Sequence, residues 1–294
     1  MALNLHLLRF FSAVAQTGSF SRAADELNVS QPAISRGVRD FELQVGCRLL
    51  DRGPRGVRLT REGDALFRHA KTLFAMERAA EDELRALRGL GSGALRIGAS
   101  TTIATYMLPT YLGAFNRAYP GIELSITSEN TRSIAGLLIE HKIDVALVEG
   151  PVDVPCIVSE AWIADEMVLI TSAGHAFVHD DVPIDPVRLD GETFIFREPG
   201  SGSREVVAEA LKANGVNPIR RLDVGSTEAI KQLVASGVGV AITSVATIRD
   251  QVALGTLVAV PIRQMRVERT LWRLSVPGRL ANPATIAFER LIKI

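Results

Sequence analysis

Two cysteines in 294 residues are too few for a disulfide framework, and such sparing use suits a reducing compartment. No apolar run approaches the roughly 20 residues that a membrane-spanning helix needs, so no membrane partner is expected. The apolar start from Met1 to Val14 is broken by His6 and Arg9 and leads to no small-residue cleavage site. It reads as a helix of the mature chain rather than an export signal, which places the protein in the cytoplasm. No Ser/His/Asp or Cys/His constellation sits in a motif that supplies a nucleophile, so no catalytic residue is expected and the chain reads as a non-enzyme. His175 and His179 lie four apart with Asp180 and Asp181 following, but the Ala, Gly and Pro around them describe a loop, and no metal is expected. Gly237-Val238-Gly239 lacks the strand–glycine–helix context of a nucleotide fingerprint, so no cofactor is expected either. Cys47 and Cys156 read as packing residues.

Net charge is also missing, with 33 Lys and Arg against 33 Asp and Glu. The balance hides an asymmetry: residues 1–72 carry 11 basic and 7 acidic side chains, and residues 93–294 carry 19 and 22. A basic head on a mildly acidic body points to a polyanion as partner of the head. Hydrophobic residues make up 47% and charged residues 22%, enough to bury the cores of two or three compact units.

In the head, Leu5, Leu8, Phe11 and Ala15 recur at helical spacing up to Gly18. A second helix starts at Ser19 as N-cap, buries Ala23, Ala24 and Leu27, and ends at Asn28, which tolerates a left-handed turn. A third opens with Ser30 as N-cap and Pro32 in its first turn, with Ile34, Val38, Phe41 and Val45 as its apolar stripe. Two short helices crossing closely at Ala24 describe a helix-turn-helix. At 100° per residue, Pro32, Ser35, Arg36 and Arg39 face away from the stripe, the position from which a recognition helix reads DNA. Arg36 suits a guanine or a phosphate, and Ser30, Gln31 and Ser35 suit bases or backbone. Two short strands then flank Gly53-Pro54-Arg55-Gly56 as a wing, whose Arg52, Arg55 and Arg58 suit phosphates or a minor groove.

This head resembles the N-terminal signature of LysR-type transcriptional regulators. The residues that carry the resemblance are Leu8, Phe11, Val14-Ala15, Gly18-Ser19-Phe20-Ser21, Ala23-Ala24, Leu27, Ser30-Gln31-Pro32-Ala33-Ile34-Ser35, Glu42, Gly46, Leu49, Arg52, Arg55 and Leu59-Thr60. Phe41 and Leu50 depart from the usual Leu and Phe, and Glu62 stands where Ala is commoner. None of these departures touches a DNA-facing position.

From Thr60 as N-cap to Arg88 there is no proline, and the one glycine is Gly63 in the first turn. Leu66, Ala70, Leu73, Glu77, Ala80, Leu84 and Leu87 alternate steps of four and three, a heptad seam with one charged interruption. The seam reads either as packing on its own domain or as a dimerisation helix, and the resemblance favours the second. A dimer, or a tetramer built from two, presents paired recognition helices to a dyad-symmetric operator in double-stranded DNA. The helix ends in Gly89-Leu90-Gly91-Ser92-Gly93, a flexible break. The expected organisation is a winged helix-turn-helix at 1–60, a linker and dimerisation helix with its hinge at 61–92, and an effector-binding domain at 93–294.

In that last region, strand and helix patterns alternate: Leu95–Ala99, Tyr106–Ala118, Ile122–Ser128, a helix to about His141, and Asp144–Val148. They continue as Met167–Thr171, Thr193–Phe196, Glu205–Asn214, Leu222–Val224, Thr227–Ser236, Gly239–Thr243 and Leu271–Val276, with a last helix capped at Asn282-Pro283. Such alternation predicts an α/β fold with doubly wound, mostly parallel sheets. Residues 163–266 read as lobe II, inserted into a lobe I made of 93–162 and 267–294. The arrangement resembles the two-lobed effector domain of the same family, which is similar to periplasmic solute-binding proteins.

Three segments fit a ligand at strand ends: Ser100-Thr101-Thr102, the loop Arg197-Glu198-Pro199-Gly200-Ser201-Gly202-Ser203-Arg204, and Ser226-Thr227. Backbone N–H groups, Ser201, Ser203 and Thr227 hydroxyls, and the Arg197 and Arg204 guanidiniums are chemistry for a carboxylate, sulfite, sulfate or phosphate. The loop resembles one in family members concerned with sulfur or carbon assimilation. The expected function is that of a transcription regulator controlled by a small anionic effector. An exported solute-binding protein has no use for the basic head, and an enzyme with an added DNA-binding domain lacks a nucleophile here.

Overall fold

A computed structural model describes residues 2–53, 56–87, 93–150, 152–179, 183–279 and 281–293. The chain divides into two compact units, residues 1–81 and 82–294.

The first unit is built by local signals, although Leu5 is exposed and Leu27 and Val45 are only half-buried. Helix α1 (Leu5–Thr17) is capped by Asn4, whose side chain accepts from the N–H groups of His6 and Leu7. Helix α2 (Phe20–Leu27) is capped by Ser19 and closed by Asn28 in the left-handed conformation, φ 52°. Helix α3 (Gln31–Val45) starts at the Ser30 cap with Pro32 in its first turn. Strands β1 (Leu50–Gly53) and β2 (Gly56–Leu59) pair antiparallel as the wing hairpin. Helix α4 (Arg61–Leu87) follows, with Gly63 N–H donating to Thr60 Oγ1 at 2.9 Å. Gly63 is required by close approach, because a Cβ there would lie 2.0 Å from the Leu49 carbonyl oxygen.

Phe11, Val14, Ala23, Ile34, Val38 and Phe41 form the core of this unit, and Phe67, Ala70 and Phe74 of α4 complete it. Half-buried Leu66 and Leu73 pack on the same core, and Glu77 pairs with Arg9 at 2.5 Å. The first half of the heptad seam therefore belongs to the head's own interior. Further along, Ala80 and Leu84 are exposed, as is Met76 beside them. The side chain of Leu87 and the break at 88–92 lie outside the described residues.

The second unit alternates strand and helix. Lobe I holds β3 (Gly93–Ser100), a π-helical turn (Ile103–Met107), α5 (Leu108–Ala118), β4 (Ile122–Glu129), α6 (Thr131–Ile139) and β5 (Val145–Val148). Strand β6 (Val158–Ser172) crosses into lobe II, which continues with the short α7 (Ala176–His179), β7 (Thr193–Arg197), α8 (Gly202–Ala213) and β8 (Arg220–Val224). Helix α9 (Thr227–Ala235), β9 (Ala241–Ser244), the short α10 (Arg249–Ala253) and β10 (Leu257–Val260) follow. Strand β11 (Val267–Ser275) leads back, and α11 (Pro283–Leu291), capped by Asn282, closes lobe I.

Parallel pairing is confined to the lobes: β4, β3 and β5 in lobe I, and β7 with β8 in lobe II. The crossing strands β6 and β11 are antiparallel to each other, as are β9 and β10 to β6. The chain passes between the lobes once in each direction, and two opposed passes side by side can pair only antiparallel. The expectation of mostly parallel sheets therefore holds for β4, β3 and β5 of lobe I, while in lobe II β7 and β8 pair parallel but β9 and β10 pair antiparallel with β6. Strand β6 also starts nine residues before the predicted Met167, because its exposed first half is too polar to show as an apolar run.

Both cysteines are exposed, which corrects their reading as packing residues: Cys47 follows the Gly46 cap of α3 and Cys156 sits in the turn before β6. Among the described residues no helix is long and apolar enough to cross a membrane.

Candidate functional site

Two regions gather the sequence-predicted polar residues. In the head, burial of Ile34, Val38 and Phe41 fixes the rotation of α3, so Pro32, Arg36 and Arg39 are exposed on its other side, and Gln31 is exposed as the first residue of the helix. Arg36 and Arg39 make no ion pair among the described residues, leaving two guanidiniums open to an incoming polyanion. Ser35 is half-buried, and the Ser30 hydroxyl accepts from Ala33 N–H at 3.4 Å as the helix cap. Arg58 is exposed on the wing. Arg55 and the side chain of Arg52 lie outside the described residues.

In the second unit, three neighbouring strands of lobe I end side by side: Ser100 closes β3, Glu129 closes β4 and Val148 closes β5. Ligands of open α/β sheets bind at such ends. The Ser100 hydroxyl is buried without a hydrogen-bond partner, and so is that of Thr131, the first residue of α6. Lobe II brings the turn before α8 against them. Arg132 N–H donates to the Gly200 carbonyl at 3.3 Å, and a Cβ on Gly202 would lie 3.0 Å from Thr131 Oγ1. Only glycine allows that approach. Ser201 stands at the N-cap of α8, yet its hydroxyl caps nothing and is also buried without a partner. The serines capping α2, α3 and α9 all accept from their helices, so Ser201 is the exception among them. Over Gly200 lies the exposed Arg132, which makes no ion pair among the described residues.

Around this hydroxyl group the lobes are tied by buried polar bonds. Glu149, just past β5, accepts from Ser203 N–H at 3.3 Å and from its hydroxyl at 2.6 Å. Arg269 of β11 donates to Ser203 Oγ at 2.7 Å and to Asp165 of β6 at 2.7 Å, with its Nη1 3.4 Å from Glu149. Ser244 donates to the other oxygen of Asp165 at 2.6 Å. Burial alone would push the Glu149 carboxyl up. The Arg269 charge, hydrogen bonds from Ser203 and Thr102, and the Arg197 charge outweigh it and hold the group below the usual carboxylate range. A second tie runs from Lys231 of α9, which donates to the Tyr106 hydroxyl at 2.9 Å and the Thr247 carbonyl at 2.8 Å.

Two family models match the chain: "Bacterial regulatory helix-turn-helix protein, lysR family" over residues 5–64, and "LysR substrate binding domain" over residues 88–293. The chain belongs to the LysR family. It is thus a DNA-binding transcription regulator with an effector-binding domain, and not an enzyme. It is 32% identical over 295 residues to the HTH-type transcriptional regulator CbbR of Rhodospirillum rubrum, covering 99% of this chain and 96% of that one. Full-length OxyR from Pseudomonas aeruginosa shares the fold with a TM-score of 0.78 at 23% identity, over 100% of this chain and 94% of that one. The regulatory domain of CcmR from Synechocystis, solved in complex with 2-PG, has a TM-score of 0.64 at 29% identity, covering 69% of this chain and 97% of that one.

In this LysR-family regulator the structure brings Ser100, Ser201, Ser203 and Thr227 into the buried interior around the interlobe cleft, with Thr101 half-buried and Thr102 beside Glu149. Not all are open to a ligand. Ser203 is held by Glu149 and Arg269, and Thr227 accepts from Arg197 Nη1 at 3.0 Å. Arg197 is also clamped by the Glu198 carboxylate at 2.8 and 3.0 Å. For Glu198 itself, burial would raise the pKa, but the Arg197 bond leads a set of interactions, including one from Asn130, that hold it below the usual range. Arg204 donates to Asp223 at 2.6 Å and to the Arg197 carbonyl, and its guanidinium lies over the Phe196 ring. Three participants had no signal in the sequence analysis: Thr131, Arg132 and Glu149. The carboxyl-end position of Asn130-Thr131 after β4 was the one available clue.

Proposed function

We propose that this regulator holds a dyad-symmetric operator as paired dimers in the cytoplasm, and that a small anion between its lobes biases the disposition of the paired heads. Residues 1–60 form the DNA head, 61–92 the linking and dimerising helix with its hinge, and 93–294 the effector unit, with lobe I at 93–162 and 267–294 and lobe II at 163–266. Gln31, Pro32, Ser35, Arg36 and Arg39 meet base edges and phosphates, Ser30 contributes at the helix start, and Arg52 and Arg55 of the wing meet the backbone or minor groove. Exposed Met76 and Leu84 on α4 support a partner helix at the seam's second half.

The observation that carries the effector reading is the trio Ser100, Thr131 and Ser201. Leaving a buried hydroxyl unpaired costs about 1–3 kcal/mol, and here three of them are unpaired around one meeting point of the lobes. An oxyanion accepts from all three at once, with Arg132 placed to neutralise it and Thr101, Thr102, Arg197, Ser203, Arg204 and Thr227 shaping and bracing the wall. The 2-PG complex of the similar CcmR domain supports a ligand in this kind of domain. A preference of one lobe arrangement for the anion of about 1–3 kcal/mol is enough for regulation.

The test is a titration of the full-length protein with a fluorescent duplex from its own upstream region and a scrambled control, at several salt concentrations. Phosphate, sulfate and small carboxylates are then added in turn. Sequence-dependent binding that weakens steeply with salt and shifts with one class of anion is the expected result. Equal, weak binding to both duplexes with every anion present would sink the proposal.

A further inference from the structure

Away from the interlobe cleft, lobe II carries a cavity of about 450 Å³ between the second half of α8, the loop after it and β8. Its apolar lining comes from Phe196, Leu211, Val216 and Pro218, and its polar lining from Lys212, Asn217 and Arg221. Arg221 is set in place by Asn217, whose Oδ1 accepts from Nη2 at 2.9 Å, and lies 5.8 Å from the centre of the Phe196 ring. Neither Arg221 nor Lys212 pairs with a carboxylate among the described residues. Two acidic groups nearby are engaged elsewhere: Asp190 accepts from Asn217 N–H, and Asp223 pairs with Arg204. An apolar hollow with two unneutralised cations at its edge calls for an apolar body bearing one negative charge. The volume is within the range of small-molecule sites, about 300–1,000 Å³.

We propose that this cavity is a second small-molecule site, one that takes an aryl or compact alkyl monocarboxylate. The hydrocarbon lies against Phe196, Leu211, Val216 and Pro218, while the carboxylate meets Arg221 and Lys212. The site is not isolated from the cleft. The first turn of helix α8 carries Ser203 of Glu149's network and its last turn carries Leu211 and Lys212, roughly 13 Å away at 1.5 Å per residue, and Phe196 immediately precedes Arg197, which bonds Thr227. A ligand here bears on the same helix and strand as the interlobe contacts.

Calorimetric titration of the full-length protein with phenylacetate, and with neutral phenylacetamide as control, tests the assignment. One saturable phenylacetate site per chain is expected at about millimolar affinity or tighter, with phenylacetamide about tenfold weaker for want of the charge-assisted bonds. The double substitution Lys212→Gln, Arg221→Gln removes the charge preference, and Ala208→Leu, on the exposed face of α8, narrows the cavity and abolishes binding without unfolding the helix. Operator binding and the thermal transition of both variants serve as folding controls. Absence of saturable binding to the native protein overturns the proposal. Binding that survives both sets of substitutions, or that Ser201→Ala removes instead, overturns it as well.

Discussion

On α3, Gln31, Arg36 and Arg39 stand exposed, and the arginines have no ionic partner among the described residues, whereas in the body Glu149, Asp165, Ser203 and Arg269 are buried and bonded to one another. The two regions handle polar groups in opposite ways for the same reason. A DNA surface arrives from outside and is polyanionic, so the head needs only to keep its guanidiniums solvated until contact. A small ligand is enclosed, so the cleft must first satisfy its buried charges and leave unpaired only those groups meant for the ligand. In this reading Ser100, Thr131 and Ser201 are informative because the buried charges beside them, Glu149, Asp165 and Arg269, are bonded to one another or to Ser203, while the three hydroxyls have no partner.

The largest effect that separates the regions is expected from Arg269→Met. It leaves Glu149 and Asp165 as unpaired buried carboxylates and should destabilise the body by about 3–5 kcal/mol, read by denaturant unfolding of the full chain. A change under about 1 kcal/mol would show the network to be solvated and the contrast false. The same network predicts an acid limb. The Glu149 pKa is lowered on folding, so its contribution is complete above the ordinary carboxylate range, about 4.3, and is lost as pH falls through the lower folded value. Unfolding midpoints measured against pH should stay flat to about pH 5 and drop below about 4, and Glu149→Gln should flatten that drop.

Next in size, Arg36→Ala should weaken specific operator binding by about 1–3 kcal/mol if it reads a base, with body stability untouched. Unchanged affinity and sequence preference would remove Arg36 from the contact face. The smallest loss of stability, none at all, is expected of Ser201→Ala. Its hydroxyl is buried without a partner, so removing it relieves a cost of about 1–3 kcal/mol and should hold or raise the unfolding free energy, while the anion response of operator binding is reduced. A large loss of stability would mean that the hydroxyl is satisfied and the cleft holds no reserved donors.

The head was legible almost throughout. Asn28 and Gly18 take the left-handed caps expected of them, Ser19 and Ser30 cap their helices, and the Ile34–Val38–Phe41 stripe is buried. The body was legible as alternation, but β10 and the polar first half of β6 were missed, since an edge or crossing strand needs no apolar run. Of the residues put forward for the cleft, Ser100 and Ser201 carry free buried hydroxyls, while Ser203, Arg197, Arg204 and Thr227 are engaged by protein partners. Sequence spacing cannot make that distinction, because Glu149 lies 54 residues from Ser203, and Asp165 lies 104 from Arg269.

The order of helices, the wing, the outward side of α3 and the two-lobed alternation follow from caps, turn residues and apolar periodicity, all of which act over a few residues. Which serines are free and which arginines are neutralised, where glycine is demanded at 63 and 202, and how α4 divides between its own core and exposed apolar residues were decided only in three dimensions. Those outcomes depend on groups far apart in the chain meeting inside a low-dielectric interior, where each polar atom must find a partner and each Cβ must find room.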